Sequence, residues 1–200
     1  MAAIVPIVEG ISEVEAIPVL FRRILRHQNV QGVWIERPFR IKRYGVVRDR
    51  ELERAITQAV RDRTNVGGVI VVLDSDDDCP AQLGPALLAR ARTATDLPVA
   101  IVLAQKELEC WFLGAKESLR GTRGIRLDSS PPAEPESIRG AKERLSQNMI
   151  AHRRYLPVDD QAALAETMDL REAEARCPSF ARLVQKLHLL TRTIQSMQDQ

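Results

Sequence analysis

Acidic residues follow two apolar runs of the sequence that lie about 65 residues apart. Glu9 comes directly after the run 4–8, and Asp74 and Asp76 come after the run 69–73. Each run is short, rich in β-branched residues and almost uninterrupted, which is typical of a strand buried on both faces of a parallel sheet. Ligands of such sheets bind in the crevice outside the carboxyl ends of the strands. The sequence therefore predicts that these carboxylates meet in one cluster.

Carboxylates that crowd together repel one another and resist ionisation unless a cation neutralises them. Hard oxygen ligands of this kind suit Mg²⁺ or Mn²⁺, and we expect one of these ions as the cofactor. Each acidic residue also has an ordinary structural interpretation when it is taken alone. Asp74 could form a turn or cap a helix, Glu9 could cap the following helix, and Glu13 could be a solvated helix residue.

Strand and helix patterns alternate through the first half of the chain. Besides the two runs above, strands are predicted at 32–36 and 98–104, and helices at 51–63 and 80–95. This order predicts βαβ units with right-handed crossovers, and therefore an α/β fold with a mainly parallel sheet flanked by helices. Pro6 is at odds with its strand because it cannot donate to a sheet ladder.

A first helix is predicted after the first strand. Ser12 and Glu15 have the spacing of a capping box, which places the start of the helix at Ser12. Pro18 would kink a helix that begins there, so the helix could instead start later, with Pro18 in its first turn.

Beyond residue 105 the strand pattern stops and helical patterns continue. Helices are predicted at 107–119, 137–148, 160–168 and 179–197, with a polar, proline-rich loop at 129–136. We therefore expect an α/β domain over residues 1–128 and a C-terminal helical extension over residues 129–200 that packs on the same domain.

Composition excludes several classes of protein. Aromatic residues make up only 4% of the chain, which argues against base stacking as a binding mode. The net charge is +2, so the chain is not a polycation as a whole. Three widely spaced cysteines argue against a disulfide framework and favour the cytoplasm. No charged leader precedes the first strand and no apolar stretch reaches about 18 residues, so we expect neither a signal peptide nor a membrane span.

Two basic segments could contact nucleic-acid phosphates. The denser one lies between the second strand and the next helix and contains Arg40, Lys42, Arg43 and Arg48. The other contains Arg153 and Arg154. Arginine and lysine on loops suit phosphate contacts. Acidic residues dilute the first segment, so a solvated charged loop is the alternative.

The ordered motifs resemble those of known families. Glu9-Gly10 after the first strand, followed by Asp74 and Asp76 after a later strand, resembles the Toprim domain of topoisomerases, primases and OLD-type nucleases. The block from Glu107 to Leu113 resembles one in a compact Toprim-related bacterial family that is catalogued as domain of unknown function 4276. Segments at 155, 160–161, 168–170 and 177–180 resemble the C-terminal half of that family. The resemblance spans nearly the whole chain.

The resemblance implies roles for individual residues. Glu9 would be the Toprim glutamate, acting as a metal ligand or as a general acid or base, and Asp74 and Asp76 would hold the divalent cation. Glu13 would match a second acidic position of OLD-type nucleases. A further carboxylate near a second metal would come from 107 or 109. On a helix these two side chains diverge by about 200°, whereas on an extended segment they share a face. Glu109 is favoured over Glu107 because the aromatic residues just after it mark the buried side.

The predicted function is a Mg²⁺- or Mn²⁺-dependent nuclease of Toprim type that hydrolyses phosphodiester bonds of DNA or RNA, with Glu9, Glu13 and Asp74 as catalytic residues. The resemblance also implies an ATPase partner in a phage-defence or DNA-maintenance system. One alternative is a non-catalytic Toprim-like module that binds metal, nucleic acid or a partner protein. Another is a response-regulator type of protein, in which Asp74 accepts a phosphoryl group and Lys106 serves as its lysine.

Overall fold

The computed structural model describes residues 1–42, 45–46, 50–61 and 63–198 of the 200-residue chain. Arg43 and Arg48 of the predicted basic segment lie outside the described residues. Within those ranges, no helix combines the length and the apolar character that a membrane span requires.

A parallel sheet forms the centre of the protein. Its strands are β1 (Ala2–Val8), β2 (Val33–Ile35), β3 (Phe39–Arg40), β4 (Val66–Asp74) and β5 (Val99–Ala104). The order across the sheet is β2-β1-β4-β5, and β3 pairs with β1 just beyond β2. The central strands β1 and β4 are the two apolar runs that precede the acidic residues. The α/β fold with a parallel sheet is therefore confirmed.

Pro6 lies inside β1 without breaking the sheet. The backbone N–H of Ala2 points towards Gly32, on the β2 side, and by alternation so does the nitrogen of Pro6. On that side β2 ends at Ile35 and β3 begins at Phe39, so the neighbouring ladder is interrupted opposite Pro6. The missing donor of the proline therefore falls where no strand residue needs it.

Helices cover both faces of the sheet. They are α1 (Glu13–His27), α2 (Glu51–Arg61), α3 (Pro80–Ala91), α4 (Glu109–Gly114), α5 (Ala141–Gln147), α6 (Pro157–Thr167), α7 (Leu170–Arg176) and α8 (Pro178–Gln198). Short 3-10 turns lie at Thr122–Gly124 and Pro135–Ser137. The first helix begins where Ser12 predicts it, with Ser12 at the N-cap, and the alternative of a later start is wrong because α1 contains Pro18 in its interior. The predicted helix 107–119 is also too long, since α4 ends at Gly114.

Two apolar clusters divide the core between the faces of the sheet. On one face, α2 and α3 cover alternate residues of β1, β4 and β5, including Val5 and Val71. On the other face, α1 and α8 join the remaining strand residues to the C-terminal helices. Trp111 of α4 and Phe180 of α8 are fully buried there, with ring centroids 5.4 Å apart in an edge-to-face arrangement. The sheet and the C-terminal helices thus share one continuous core.

Candidate functional site

The strand register brings the first two predicted acidic positions together. Val8 of β1 lies opposite Val72 of β4, so Glu9 follows at the level of Leu73, one residue from Asp74. With neighbouring strands about 4.8 Å apart, the Cα atoms of Glu9 and Asp74 lie about 6 Å from each other. Both residues stand at the carboxyl edge of the sheet, where α1 also begins.

Glu13, the first residue of α1, turns back into this edge and is only 7% exposed. Its Oε2 accepts a hydrogen bond from the backbone N–H of Glu9 at 3.1 Å. Ser12 occupies the N-cap, but its side chain makes no capping hydrogen bond, so the predicted capping box is wrong. Burial raises the pKa of Glu13 to about 7, and the charges of Glu109 and Glu9 add to this shift. Glu13 is therefore a buried site residue and not a solvated one.

A close approach of backbone to side chain explains the glycine after Glu9. A Cβ atom at Gly10 would lie 2.7 Å from Oε1 of Glu13, which is shorter than any ordinary contact. A larger residue at position 10 would therefore displace the carboxylate of Glu13 from its place beside the strand end.

Asp74 closes β4 and faces the same cluster. Its Oδ1 accepts a hydrogen bond from the backbone N–H of Leu108 at 2.7 Å. Burial raises the pKa of Asp74 well above its usual range, and the negative charges of Glu13 and Glu109 raise it further, while Lys142 acts in the opposite direction. Three carboxylates from three separate elements are therefore close enough to repel one another.

Glu107 and Glu109 both contact one lysine. The Nζ of Lys142 lies 3.0 Å from Oε2 of Glu107 and 3.3 Å from Oε2 of Glu109. Glu107 also accepts a hydrogen bond from the backbone N–H of Ala141 at 2.9 Å. Burial opposes ionisation of Glu107, but the hydrogen bonds from Ala141 and Lys142 prevail and lower its pKa. Glu107 therefore joins the start of α5 to the site as a charged group.

Glu109 is the more deeply placed of the two, with 1% of its surface exposed. Its Oε1 accepts hydrogen bonds from the hydroxyl of Tyr155 at 3.1 Å and from Nε2 of Gln161 at 3.3 Å. Burial raises the pKa of Glu109 although Lys142 and Tyr155 favour its charged form. Because Glu109 also acts on Asp74, its side chain faces the carboxylate cluster.

Lys142 was missed by sequence reasoning. It lies in the first turn of α5, where burial would lower its pKa, but the charges of Glu109, Glu107 and Asp74 outweigh burial and raise it. Its local sequence resembles any exposed helix start, so no local signal distinguishes it. Tyr155 and the residue at 161 were noticed only through the family resemblance.

Asp76 does not enter the buried part of the cluster. It is exposed, in the turn that follows β4, and has a positive φ of 47°. Its neighbour Asp77 pairs with Lys106 at 3.4 Å and with Arg139 at 2.7 Å. Among the residues that the structure describes, no three acidic, histidine or cysteine side chains are arranged as they stand to hold a metal ion. The metal-ligand roles therefore stay predictions.

The predicted phosphate-binding residues are spread over two regions. Arg40 of β3 is exposed, and its Nε donates to the backbone carbonyl of Glu9 at 3.1 Å, which places it beside the acidic site. Lys42 is exposed nearby. Arg153 forms an ion pair with Asp160 at 2.7 Å, whereas the adjacent arginine at position 154 is exposed. The predicted phosphate contacts of these residues stay predictions.

Comparison with known proteins identifies the family. Among solved structures, the C-terminal region of the OLD protein of Xanthomonas campestris pv. campestris is similar, with 15% identity, 98% of each chain covered and a TM-score of 0.47. No curated protein matches the chain significantly. Residues 8–188 match the family described as a domain of unknown function, DUF4276. Since this match spans most of the sequence, the chain belongs to the DUF4276 family.

Proposed function

We propose that this protein is a divalent-metal-dependent nuclease that hydrolyses phosphodiester bonds of DNA or RNA. The observation that carries the proposal is the gathering of Glu13, Asp74 and Glu109 at one edge of the sheet, each with a raised pKa. Among the described residues, Lys142 lies beside them and contacts both Glu107 and Glu109. Buried carboxylates that repel one another lower stability, and a bound cation would relieve that repulsion.

The chemistry of the donor set fits Mg²⁺ or Mn²⁺, because every candidate ligand is a carboxylate oxygen. Asp74 and Glu9, with Asp76 and Glu109 on either side, would hold the ion. A bound ion would polarise the scissile phosphate and lower the pKa of an attacking water. Glu13, whose pKa is about 7, is suited to accept a proton near neutral pH.

Lys142 supplies positive charge at the same place. Its ammonium lies against Glu107 and Glu109, at the end of α5 nearest the strand ends. A fixed cation beside a phosphate stabilises the negative charge that develops there during hydrolysis. We therefore assign Lys142 to phosphate binding, a role that the sequence alone does not suggest.

The wider setting rests on analogy. The motif order resembles Toprim-type nucleases, and on that basis we propose the Toprim relationship, a cytoplasmic location and an ATPase partner in phage defence or DNA maintenance. Fold-level analogy of this kind concerns the system in which the protein works and not its chemistry.

A non-catalytic binding module is the second candidate function. Lys142 already bridges Glu107 and Glu109, and among the described side chains no metal-ready group of three is present. Both observations fit a cluster that docks a partner without cutting it. A response-regulator role has less support, because Lys106 pairs with Asp77 whereas Lys142 acts on Asp74.

The decisive test is cleavage of labelled DNA and RNA by purified protein in Mn²⁺ or Mg²⁺. Asp74→Asn and Glu9→Gln should each lower the rate at least about 100-fold, since each removes charge from the reacting site. Glu15→Gln, an exposed residue in the same first turn of α1, is the matched control and should cleave normally. Cleavage that survives in Asp74→Asn rejects the site, and nucleic-acid binding without cleavage supports the binding module.

A further inference from the structure

Basic residues lie around Asn148, at the opposite end of α5 from Lys142; one of them contacts it through its side chain and two through their backbones. The Nζ of Lys116 donates to Oδ1 of Asn148 at 3.1 Å. The backbone carbonyl of Asn148 accepts from the N–H of Arg126 at 2.9 Å, and its Nδ2 donates to the carbonyl of Arg144 at 2.6 Å. We call Lys116, Arg120, Arg126 and Arg144 the Asn148 cluster, because the charges of the three arginines all act on Lys116.

Little negative charge balances this cluster. Within the described ranges, Lys116, Arg120 and Arg144 form no ion pair with a carboxylate. Arg120 donates instead to the carbonyl of Ser129 at 2.7 Å. Arg126 pairs at 3.1 Å with an aspartate two residues away, but both side chains are open to solvent, where such a pair contributes little.

The acidic neighbour of Lys116 forms its ion pair with an arginine outside the cluster. Glu117 forms two contacts with Arg176, at 2.6 Å and 3.0 Å, on the side of α7. Its charge also acts on Lys116 and Arg120, so this carboxylate is shared between Arg176 and the Asn148 cluster and offsets only part of the positive charge of the cluster.

Lys116 is the most unusual member because only 2% of its surface is exposed. Burial lowers its pKa, and the arginines around it lower it further. An apolar side chain of similar length would fill the same space without either cost. Concentrated positive charge that the protein itself neutralises only in part is typical of surfaces that bind a polyanion.

We propose that the Asn148 cluster binds backbone phosphates of the nucleic-acid strand whose scissile bond lies at the Asp74 site. This inference rests on the proposed function, because it takes nucleic acid as the ligand. Lys142 and Asn148 are six residues apart along α5, which corresponds to about 9 Å. That distance corresponds to two to three base steps of a duplex, at about 3.4 Å of helix axis per phosphate of one strand. The exposed arginines of the cluster therefore contact the strand a short way from the bond to be cut, and the buried Lys116 adds positive charge behind them.

The contacts are to the backbone and not to bases. The cluster consists of cations whose charge matches phosphate, and it has no aromatic platform of its own for stacking. We therefore expect binding that depends weakly on sequence and strongly on salt. The basic segment around Arg40 is separate from it in the chain and contacts the site from β3.

The test measures binding of a labelled single-stranded oligonucleotide in EDTA, so that cleavage cannot interfere. The triple variant Arg120→Ala, Arg126→Ala, Arg144→Ala should bind at least about tenfold more weakly and lower the slope of log affinity against log salt by about 2. The matched control removes three exposed arginines elsewhere, Arg22, Arg92 and Arg192, and should bind like wild type.

Lys116→Met separates binding from folding. It should weaken oligonucleotide binding several-fold while leaving the thermal midpoint unchanged or higher, because a buried charge is removed. A purely structural lysine would lower the midpoint and leave affinity unchanged, which would overturn the assignment of Lys116.

The inference and the proposed function fail in different ways. A triple variant that binds as tightly as wild type overturns the inference, and so does wild-type protein that shows no salt-dependent binding. Cluster-dependent binding without cleavage in any divalent metal overturns the nuclease proposal alone.

Discussion

Two carboxylates in this protein are equally buried but have very different surroundings. Asp160 and Glu109 are each 1% exposed. Asp160 accepts hydrogen bonds from Nε of Arg123 at 2.9 Å, from Arg153 at 2.7 Å and from the backbone N–H of Leu156 at 3.0 Å. Two full positive charges and one amide therefore surround a single negative charge at the start of α6.

Around Glu109, the described carboxylates outnumber the cations that contact them. Lys142 is its cationic contact, and the same ammonium also pairs with Glu107 and acts on Asp74. Glu13 adds another carboxylate without adding a cation. Among the described side chains around Glu109, three carboxylates therefore act on the ammonium of Lys142: Glu109, Glu107 and Asp74.

The difference separates a structural carboxylate from a functional one. A buried charge that is fully paired stabilises a local arrangement only while its partners remain, whereas a group of under-neutralised charges is destabilising until a ligand binds. Removing a carboxylate should therefore have opposite effects on stability in the two regions.

The largest expected effect is on Asp160. Asp160→Ala removes three hydrogen bonds to a buried carboxylate, and at about 1 kcal/mol or more for each the loss should be at least about 3 kcal/mol. Urea unfolding monitored by circular dichroism measures this loss. Asp159→Ala is the control, because Asp159 is exposed and contributes its backbone carbonyl, not its side chain, to the contact with Arg123. Equal stability of the two variants would contradict the comparison.

In the acidic region, removal of a carboxylate should raise the free energy of unfolding, and the size of this gain should depend on pH. Glu13 has a pKa of about 7 in the folded protein against an ordinary value of 4.5, so the folded state holds this proton more tightly than the unfolded state. The resulting stability is fully present below about pH 4.5 and is lost as the pH rises through 7. Glu13→Gln should therefore match wild type in acid and exceed it by about 3 kcal/mol above neutrality.

Unfolding in urea at several pH values, with EDTA present, checks this prediction. Glu15→Gln should run parallel to wild type throughout, since that side chain is exposed. A stability difference between Glu13→Gln and wild type that stays constant with pH would show that Glu13 is not the titrating group.

Metal addition should stabilise the acidic region, because a bound cation would reduce the repulsion among its carboxylates. If Mn²⁺ binds the folded site, wild type gains about 2.7 kcal/mol at a concentration 100-fold above Kd. Asp74→Asn should lose that gain, and Lys142→Met should increase it because the ammonium and the ion compete for the same carboxylates. Thermal melting across a Mn²⁺ titration measures all three. An equal gain in Asp74→Asn would place the ion elsewhere.

The sheet could be predicted from sequence because burial on both faces leaves a continuous apolar run. This signal located β1, β4 and β5, and the ends of β1 and β4 located Glu9 and Asp74. Helix limits were harder to predict. In α4 the residues around Trp111 are buried on every side, so no apolar stripe marks where the helix stops.

A helix can also be missed because too little of it is buried. In α7 the buried residue is Ala173, which leaves no periodic pattern to detect. The usable signal was its cap, since Asp169 accepts hydrogen bonds from the N–H groups of Arg171 at 2.7 Å and Glu172 at 3.0 Å.

The position of Lys142 in the site could not be predicted for a different reason. Lys142 is more than thirty residues from Glu109 in sequence and reaches it only through the packing of α5 against α4. Carboxylates at strand ends are placed by the sheet, whereas this lysine is placed by tertiary contacts that no local pattern encodes.

The smallest expected effect distinguishes Arg153 from its neighbour Arg154. Arg153 pairs with Asp160, so Arg153→Ala should lower the free energy of unfolding by about 1–2 kcal/mol while Arg123 still holds the carboxylate. Its effect on oligonucleotide affinity should be slight, because the guanidinium is already engaged. Arg154→Ala should instead lower oligonucleotide affinity and leave the free energy of unfolding nearly unchanged, since the side chain of Arg154 is exposed. Salt-dependent oligonucleotide binding and urea unfolding of both variants measure these effects. A loss of affinity confined to Arg153→Ala would contradict the comparison and would assign Arg153 to phosphate binding.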